Sequence, residues 1–189
     1  MAKAYILNDK DKSMLLKLAR DAILTSFNDS DPDVSNVGHL TQLRGCFVTL
    51  HKHNALRGCI GFPKAVMPLY EEIIAAAKAA AFDDPRFESL SKSELKDIVI
   101  EISILTKPEL LKVKNHDEYL EKIEIGKDGL IIQGASSGLL LPQVATEYSF
   151  SPKQFLECVC EKAGMSKDSW KNSDNKIYTF KAEIFSEDN

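Results

Sequence analysis

Ile98, Ile100, Ile102 and Ile104 stand at every second position, and this run constrains the fold more than any other feature of the chain. A period of two is the period of a strand, so all four side chains leave on one face while Glu101 and Ser103 leave on the other. A strand with one greasy face and one polar face belongs in an antiparallel sheet with a single covered side. The spacing predicts a strand over 97–106. The other strand signals come as hairpins, and helices do not alternate with them regularly. The expected class is therefore α+β, with mainly antiparallel sheets flanked by helices.

The helical signals are of similar quality. Leu15, Leu18, Ala19, Ala22, Ile23 and Phe27 recur on one face of an amphipathic helix over 9–27. Asp-Ser-Asp-Pro-Asp, within 28–36, reads as a loop. Pro68 suits the first turn of a helix with the stripe Leu69, Ile73, Ala76, Ala77 and Ala80. Ser91 and Glu94 resemble a capping box before a short helical turn. Ser151-Pro152-Lys153-Gln154 opens a further helix, which Gly164 closes. Residues 123–133 read as a hairpin turning at Lys127-Asp128-Gly129, and Leu139–Leu141 as a short strand. One strand is expected over 176–185, with Tyr178, Phe180, Ala182 and Ile184 alternating with polar residues.

The runs 45–51 and 55–61 flank Lys52-His53-Asn54 and predict another hairpin. Matching apolar faces sets its expected register. Leu50 pairs with Leu56, Thr49 with Arg57, Val48 with Gly58, Phe47 with Cys59 and Cys46 with Ile60. Val48, Leu50, Leu56 and Ile60 then share the core face. Arg57 and Cys59 share the other, and Cys46 faces away from Cys59.

The hexapeptide Leu56-Arg57-Gly58-Cys59-Ile60-Gly61 thus places a guanidinium beside a thiol, between glycines that admit a close backbone or ligand. This stretch resembles the signature of the AMMECR family, protein A of the AmmeMemoRadiSam system, which also has eukaryotic relatives. Gly45-Cys46-Phe47-Val48-Thr49-Leu50, Asp84-Pro85-Arg86-Phe87, Gly126-Lys127-Asp128-Gly129-Leu130 and Leu141-Pro142-Gln143-Val144-Ala145 carry the resemblance over nearly the whole chain. It implies one domain over 1–189 in two lobes. The larger lobe comes from both chain ends, the smaller from the middle, and a cleft lies between them. It also implies work beside a Memo-like protein and a radical SAM enzyme.

Composition narrows the function classes. The chain has 189 residues, enough for a core without disulfides or metal, and a net charge of −4 from 24 basic and 28 acidic residues. General nucleic-acid binders are usually basic, and no interleaved aromatic and basic motif is present. Cys46, Cys59, Cys158 and Cys160 form no Cys-x-x-Cys pair. No membrane-length apolar run or signal peptide is visible, so a reducing cytoplasm is expected. No cofactor or metal is expected, and His51-Lys52-His53 reads as a surface turn.

Each chemical candidate has two readings. Cys59 is a nucleophile that a nearby cation favours as thiolate, or a small buried residue. Arg57 binds a carboxylate or phosphate, or forms an internal ion pair with Asp84. Asp84 acts as a general base or orients Arg57, and Arg86 contacts an anion; the alternative is a turn held by its own charges, with Phe87 anchored in the core. Gln143 orients a ligand or satisfies backbone. With Gly58 and Gly61 as close-approach positions, these residues define a binding site at the hexapeptide. The expected function is a pathway component that binds a substrate or partner there, with or without a reactive thiol. The alternatives are a non-catalytic scaffold and, ranked below it on the acidic composition, a nucleic-acid-associated regulator.

Overall fold

The structure, a computed structural model, describes residues 7–187. Its elements run α1 (Asp9–Ser26), β1 (Cys46–Lys52), β2 (Ala55–Phe62), α2 (Leu69–Phe82), β3 (Ile98–Leu105), β4 (Glu109–Leu110), α3 (Glu118–Lys122), β5 (Gly129–Gln133), β6 (Ser137–Leu140), α4 (Pro142–Glu147), α5 (Pro152–Lys162), β7 (Lys176–Phe180) and β8 (Ala182–Ser186). Contacts divide the chain into two units. One comprises residues up to Ile104 together with those from Glu183 onward; the other runs from Leu105 to Ala182. The class is α+β, with antiparallel strand pairing in both sheets.

The first unit holds a sheet ordered β2-β1-β3-β8. Ile98, Ile100, Ile102 and Ile104 are buried, as their alternation requires. Antiparallel pairing sets Val48 against Ile102, Leu50 against Ile100 and Cys46 against Ile104, so one sheet face is continuously apolar. The α2 stripe of Leu69, Ile73, Ala76, Ala77 and Ala80 joins the same core, along with Leu15, Leu18, Ala19, Ala22 and Ile23 of α1. Asn8 caps α1 in a capping box with Asp11. Small side chains on α2 let it approach closely. A Cβ added to Gly58 would lie 2.1 Å from the Ala80 carbonyl oxygen.

The expected hairpin is present, but its register differs. Val48 pairs with Ile60, Thr49 with Cys59 and Leu50 with Gly58, while His51 pairs with Leu56. The register shifts between Leu50 and His51, leaving Arg57 as the extra residue of a β-bulge. The turn needs only two residues, His53 and Asn54, both with positive φ. Away from the bulge the shift is two residues, so the faces survive and Cys46 and Cys59 still point oppositely. Beyond it the faces change, and Leu56 stands opposite His51 at 42 % exposure instead of in the core.

The second unit holds a sheet ordered β4-β7-β5-β6 over a core of Leu130, Ile132, Ile177, Phe155, Leu156 and Val159. Ser151 and Gln154 form the capping box of α5, and Gly164 follows it with φ 70°. The expected hairpin over 123–133 is corrected. Asp128 accepts the Glu124 N–H at 2.8 Å and closes residues 124–128 into a turn after α3. The hairpin forms instead between β5 and β6.

The single strand expected over 176–185 is two strands in two sheets, broken at Lys181. Lys181 donates its N–H to Thr106 Oγ1 at 2.9 Å, and its carbonyl accepts the Thr106 N–H at 2.9 Å. The break also moves the inward positions. Ile177, Phe180 and Phe185 are buried, whereas Ile184 is exposed. Among the described residues, no helix is long and apolar enough to cross a membrane.

Candidate functional site

The edge strand β2 organises the site. Asp84-Pro85-Arg86-Phe87 follows the end of α2 and turns tightly, with the Phe87 N–H on the Asp84 carbonyl at 3.1 Å. That turn brings Asp84 to the outer edge of β2. Its Oδ2 accepts the Cys59 N–H at 2.9 Å. Arg86 Nη2 donates to the Cys59 carbonyl at 3.3 Å. Asp84 and Arg86 therefore satisfy the outward backbone groups of Cys59, which an edge strand otherwise leaves to any passing chain.

The pair is also locked to itself. Arg86 Nε donates to Asp84 Oδ1 at 2.9 Å and Nη2 to Oδ2 at 2.7 Å, a two-pronged contact. The Arg86 N–H adds a third bond, to Oδ1 at 3.1 Å. The Arg86 guanidinium holds the Asp84 carboxyl well below the usual carboxylate range; burial opposes this, and the two backbone N–H donors reinforce it.

Arg57 does not pair with Asp84, which corrects the sequence expectation. Its partner is Glu94, reached by Nε at 3.3 Å and Nη2 at 3.4 Å, while Nη2 also donates to the Glu88 carbonyl at 2.9 Å. Glu94 accepts Lys52 Nζ at 2.8 Å and the Ser91 N–H at 3.1 Å. Half of the expected capping box thus exists, but the same carboxylate serves two cations from the hairpin. Lys52 first, then Arg57 and Ser91, hold Glu94 below the usual carboxylate range. Phe87 is half-buried rather than part of either core. Its ring lies 6.0 Å from the Arg57 guanidinium and 5.5 Å from that of Arg86.

The thiol sits in this frame without being activated by it. Thr49 Oγ1 donates to Cys59 Sγ at 3.2 Å. Burial pushes the Cys59 thiol up and outweighs the lowering effects of Thr49 and Arg86, while Asp84 and Glu101 push it further up. Of the two readings of Cys59, this environment favours the small, largely covered residue over a thiolate supported by Arg57. Both glycines of the motif are occupied by the protein itself. Ala80 fills the space at Gly58, and the Cys46 carbonyl and Phe47 ring fill that at Gly61, at 2.3 and 2.5 Å from an added Cβ. Close ligand approach at these two positions gives way to close packing.

Arg57, Cys59, Asp84 and Arg86 therefore come together in the first unit. Gln143 belongs to the second, on the first turn of α4, where its carbonyl accepts Thr146 Oγ1 at 3.0 Å. In the sequence Glu94 reads only as a cap, and Thr49 does not stand out as a site residue. The faces of β1 and β2 could have revealed Thr49; no sequence signal marks a long-range partner such as Glu94. A separate recess of about 670 Å³ lies beside α1, where His39 Nε2 meets buried Asp11 at 3.0 Å. Asp11 is committed there to the Asn8 N–H as the cap of α1. The four cysteines are free thiols, and among the described residues no three His, Cys, Asp or Glu side chains gather to hold a metal.

An α+β protein with a glycine-bearing edge strand closed by an Asp-Pro-Arg-Phe clamp defines the class. The AMMECR1 family profile matches residues 16–185, and the chain belongs to that family. It is 50% identical to protein MJ0810 of Methanocaldococcus jannaschii over 84% of this chain and 78% of the relative. It is 44% identical to protein PF1979 of Pyrococcus furiosus over 97% and 91% of the two chains. The crystal structure of the uncharacterized protein PH0010 from Pyrococcus horikoshii matches with a TM-score of 0.89 at 42% identity, covering 96% of this chain and 93% of that one.

Proposed function

We propose that the chain is a non-enzymatic binding component of a cytoplasmic modification pathway, and that it engages a substrate or protein partner at the Cys59–Arg86 surface of β2. In the setting the family resemblance implies, the partners are a Memo-like protein and a radical SAM enzyme. One observation carries the choice of binding over catalysis. The two groups placed for chemistry are already committed within the protein, Asp84 to Arg86 and the Cys59 N–H, and Cys59 Sγ to the Thr49 hydroxyl. A general base works best with a pKa near the operating pH, but Asp84 is held far down. A cysteine nucleophile needs its thiolate, but burial raises the Cys59 thiol. What the clamp does offer is Arg86, whose side chain is 54% exposed and already held in one orientation. A pre-ordered cation loses little freedom on binding. Calorimetric titration of the purified Memo-like partner tests this. Cys59→Ser should bind as wild type, and Arg86→Ala about tenfold more weakly. Loss of pathway activity in Cys59→Ser with partner binding intact would favour the reactive thiol.

A further inference from the structure

Strand β2 stands at the end of the order β2-β1-β3-β8, so among the described residues one side of its backbone has no neighbouring strand. In an antiparallel pair the N–H and C=O groups that point away from the partner fall on alternate residues. Asp84 accepts the Cys59 N–H and Arg86 donates to the Cys59 carbonyl, so Cys59 is an outward residue. The register is unbroken from Cys59 to Phe62. The next outward residue is therefore Gly61, about 7 Å further along the strand. Among the described residues nothing bonds the Gly61 N–H or carbonyl from that side.

The open stretch is bounded at both ends. Arg57 is the extra residue of the bulge, and its side chain is committed to Glu94 and the Glu88 carbonyl. Pro63 has no N–H to offer. Between them the clamp stands in for one residue of a neighbouring strand, because it supplies an acceptor and a donor to the same residue. Gly61 is the outward position that it leaves open.

The side chains define the kind of strand that fits. Cys59-Ile60-Gly61-Phe62 carries no charge, whereas charged side chains are a usual guard of an edge. Ile60 and Phe62 flank Gly61 and are only partly buried against the core of the first unit. On the other face Gly61 has no side chain, and the Phe47 ring fills the space. A strand added here sets its bridging residue beside that ring and its two flanking residues beside Ile60 and Phe62.

We infer that the Gly61 edge accepts an extended, uncharged apolar segment of a partner protein, which adds to β2 as a further strand where the Asp84–Arg86 clamp leaves off. The inference rests on the binding reading proposed above and adds the form of the partner: a strand, not a helix or a charged loop. Its bridging residue exchanges two backbone hydrogen bonds with Gly61.

The probes are acetyl-trivaline methylamide and the same peptide N-methylated at its central valine, which keeps the side chains and loses the bridging donor. Amide proton shifts are read in the full chain. The first peptide at millimolar concentration should move the Gly61 amide proton downfield and leave that of Cys59, already bonded to Asp84, in place. The N-methylated peptide should leave Gly61 unmoved. Equal shifts from the two peptides, or none from either, would overturn the strand addition. The titration of the Memo-like partner judges the binding reading separately. A partner that binds while both peptides fail leaves that reading standing by another mode of contact. A partner that fails while Gly61 responds selectively overturns that reading and leaves the edge as a strand-accepting surface.

Discussion

The edge strands β2 and β6 solve the same packing problem, and only one goes further. Each carries a glycine pressed against the backbone near the C-terminal end of a helix. Gly58 of β2 meets the Ala80 carbonyl of α2, and Gly138 of β6 meets the Val159 carbonyl and Ala163 N–H of α5, at 2.8 and 2.7 Å from an added Cβ. A missing side chain lets a helix lie against the strand in both units. The difference is at the open edge. On β2 the outward groups of Cys59 are taken by Asp84 and Arg86, and Arg57 is held by Glu94. The glycine of the hexapeptide is therefore a folding device with a counterpart elsewhere in the same chain. The charged clamp is the part that packing alone does not explain.

The sharpest way to break this comparison is to add a methyl group at each glycine. Gly58→Ala should cost about 3 kcal/mol in denaturant unfolding, because the obstacle is a backbone carbonyl at 2.1 Å. Gly138→Ala, with wider clearance, should cost about 2 kcal/mol. A clear loss at one glycine with none at the other would mean that the two strands do not share one packing device.

Next in size is the clamp. Asp84→Ala strips the Cys59 N–H and the Arg86 fork of their acceptor and should cost about 2 kcal/mol. The pH dependence has a definite sign. The folded pKa of Asp84 lies below its unfolded value, so the folded state holds fewer protons in that range. Its contribution is complete above about pH 5 and is lost as pH falls through the folded pKa. The gap between wild type and Asp84→Asn should accordingly narrow in acid, as read by denaturant midpoints between neutral and acid pH. A gap that widens instead would sink the ion-pair account.

Arg86→Ala should be milder for stability, about 1 kcal/mol, because its side chain is 54% exposed while Asp84 keeps its backbone donors. The smallest effect concerns the thiol. Cys59 should react with iodoacetamide more slowly than the same cysteine in the unfolded chain at mildly alkaline pH, since burial keeps more of it protonated. Peptide mass spectrometry resolves it from the other cysteines. Faster reaction in the folded chain would restore Cys59 as a nucleophile.

What the sequence disclosed and what it hid follow from range. The isoleucine run, the α2 stripe and the Ser151–Gln154 cap depend on residues a few positions apart, and they stand as read. The register of β2 departs from expectation at Leu56 because matching apolar faces presumes an unbroken period of two. The bulge at Arg57 leaves no mark in hydrophobicity, since the extra residue is polar and only partly exposed. The nearest motif acid to Arg57 in the sequence is Asp84. The actual partner of Arg57 had a local explanation that concealed the long-range one, because a carboxylate can cap Ser91 and bind Arg57 together. The break at Lys181 was hidden for a related reason: one alternating run can serve two sheets in succession.

The reciprocal hydrogen bonds between Thr106 and Lys181 have a consequence for how the chain could be rearranged. They tie together the places where residues 105–182 begin and end. A segment whose ends meet can be grafted into a host, excised from one or circularly permuted with only a short bridge, because the host chain is left with a narrow gap to close. The second unit has the geometry of a cassette spliced into the first, just ahead of the strand that completes its sheet. Divergence in that cassette, by insertion or exchange, can proceed while the polypeptide around the Asp84–Arg86 clamp keeps its own order of strands.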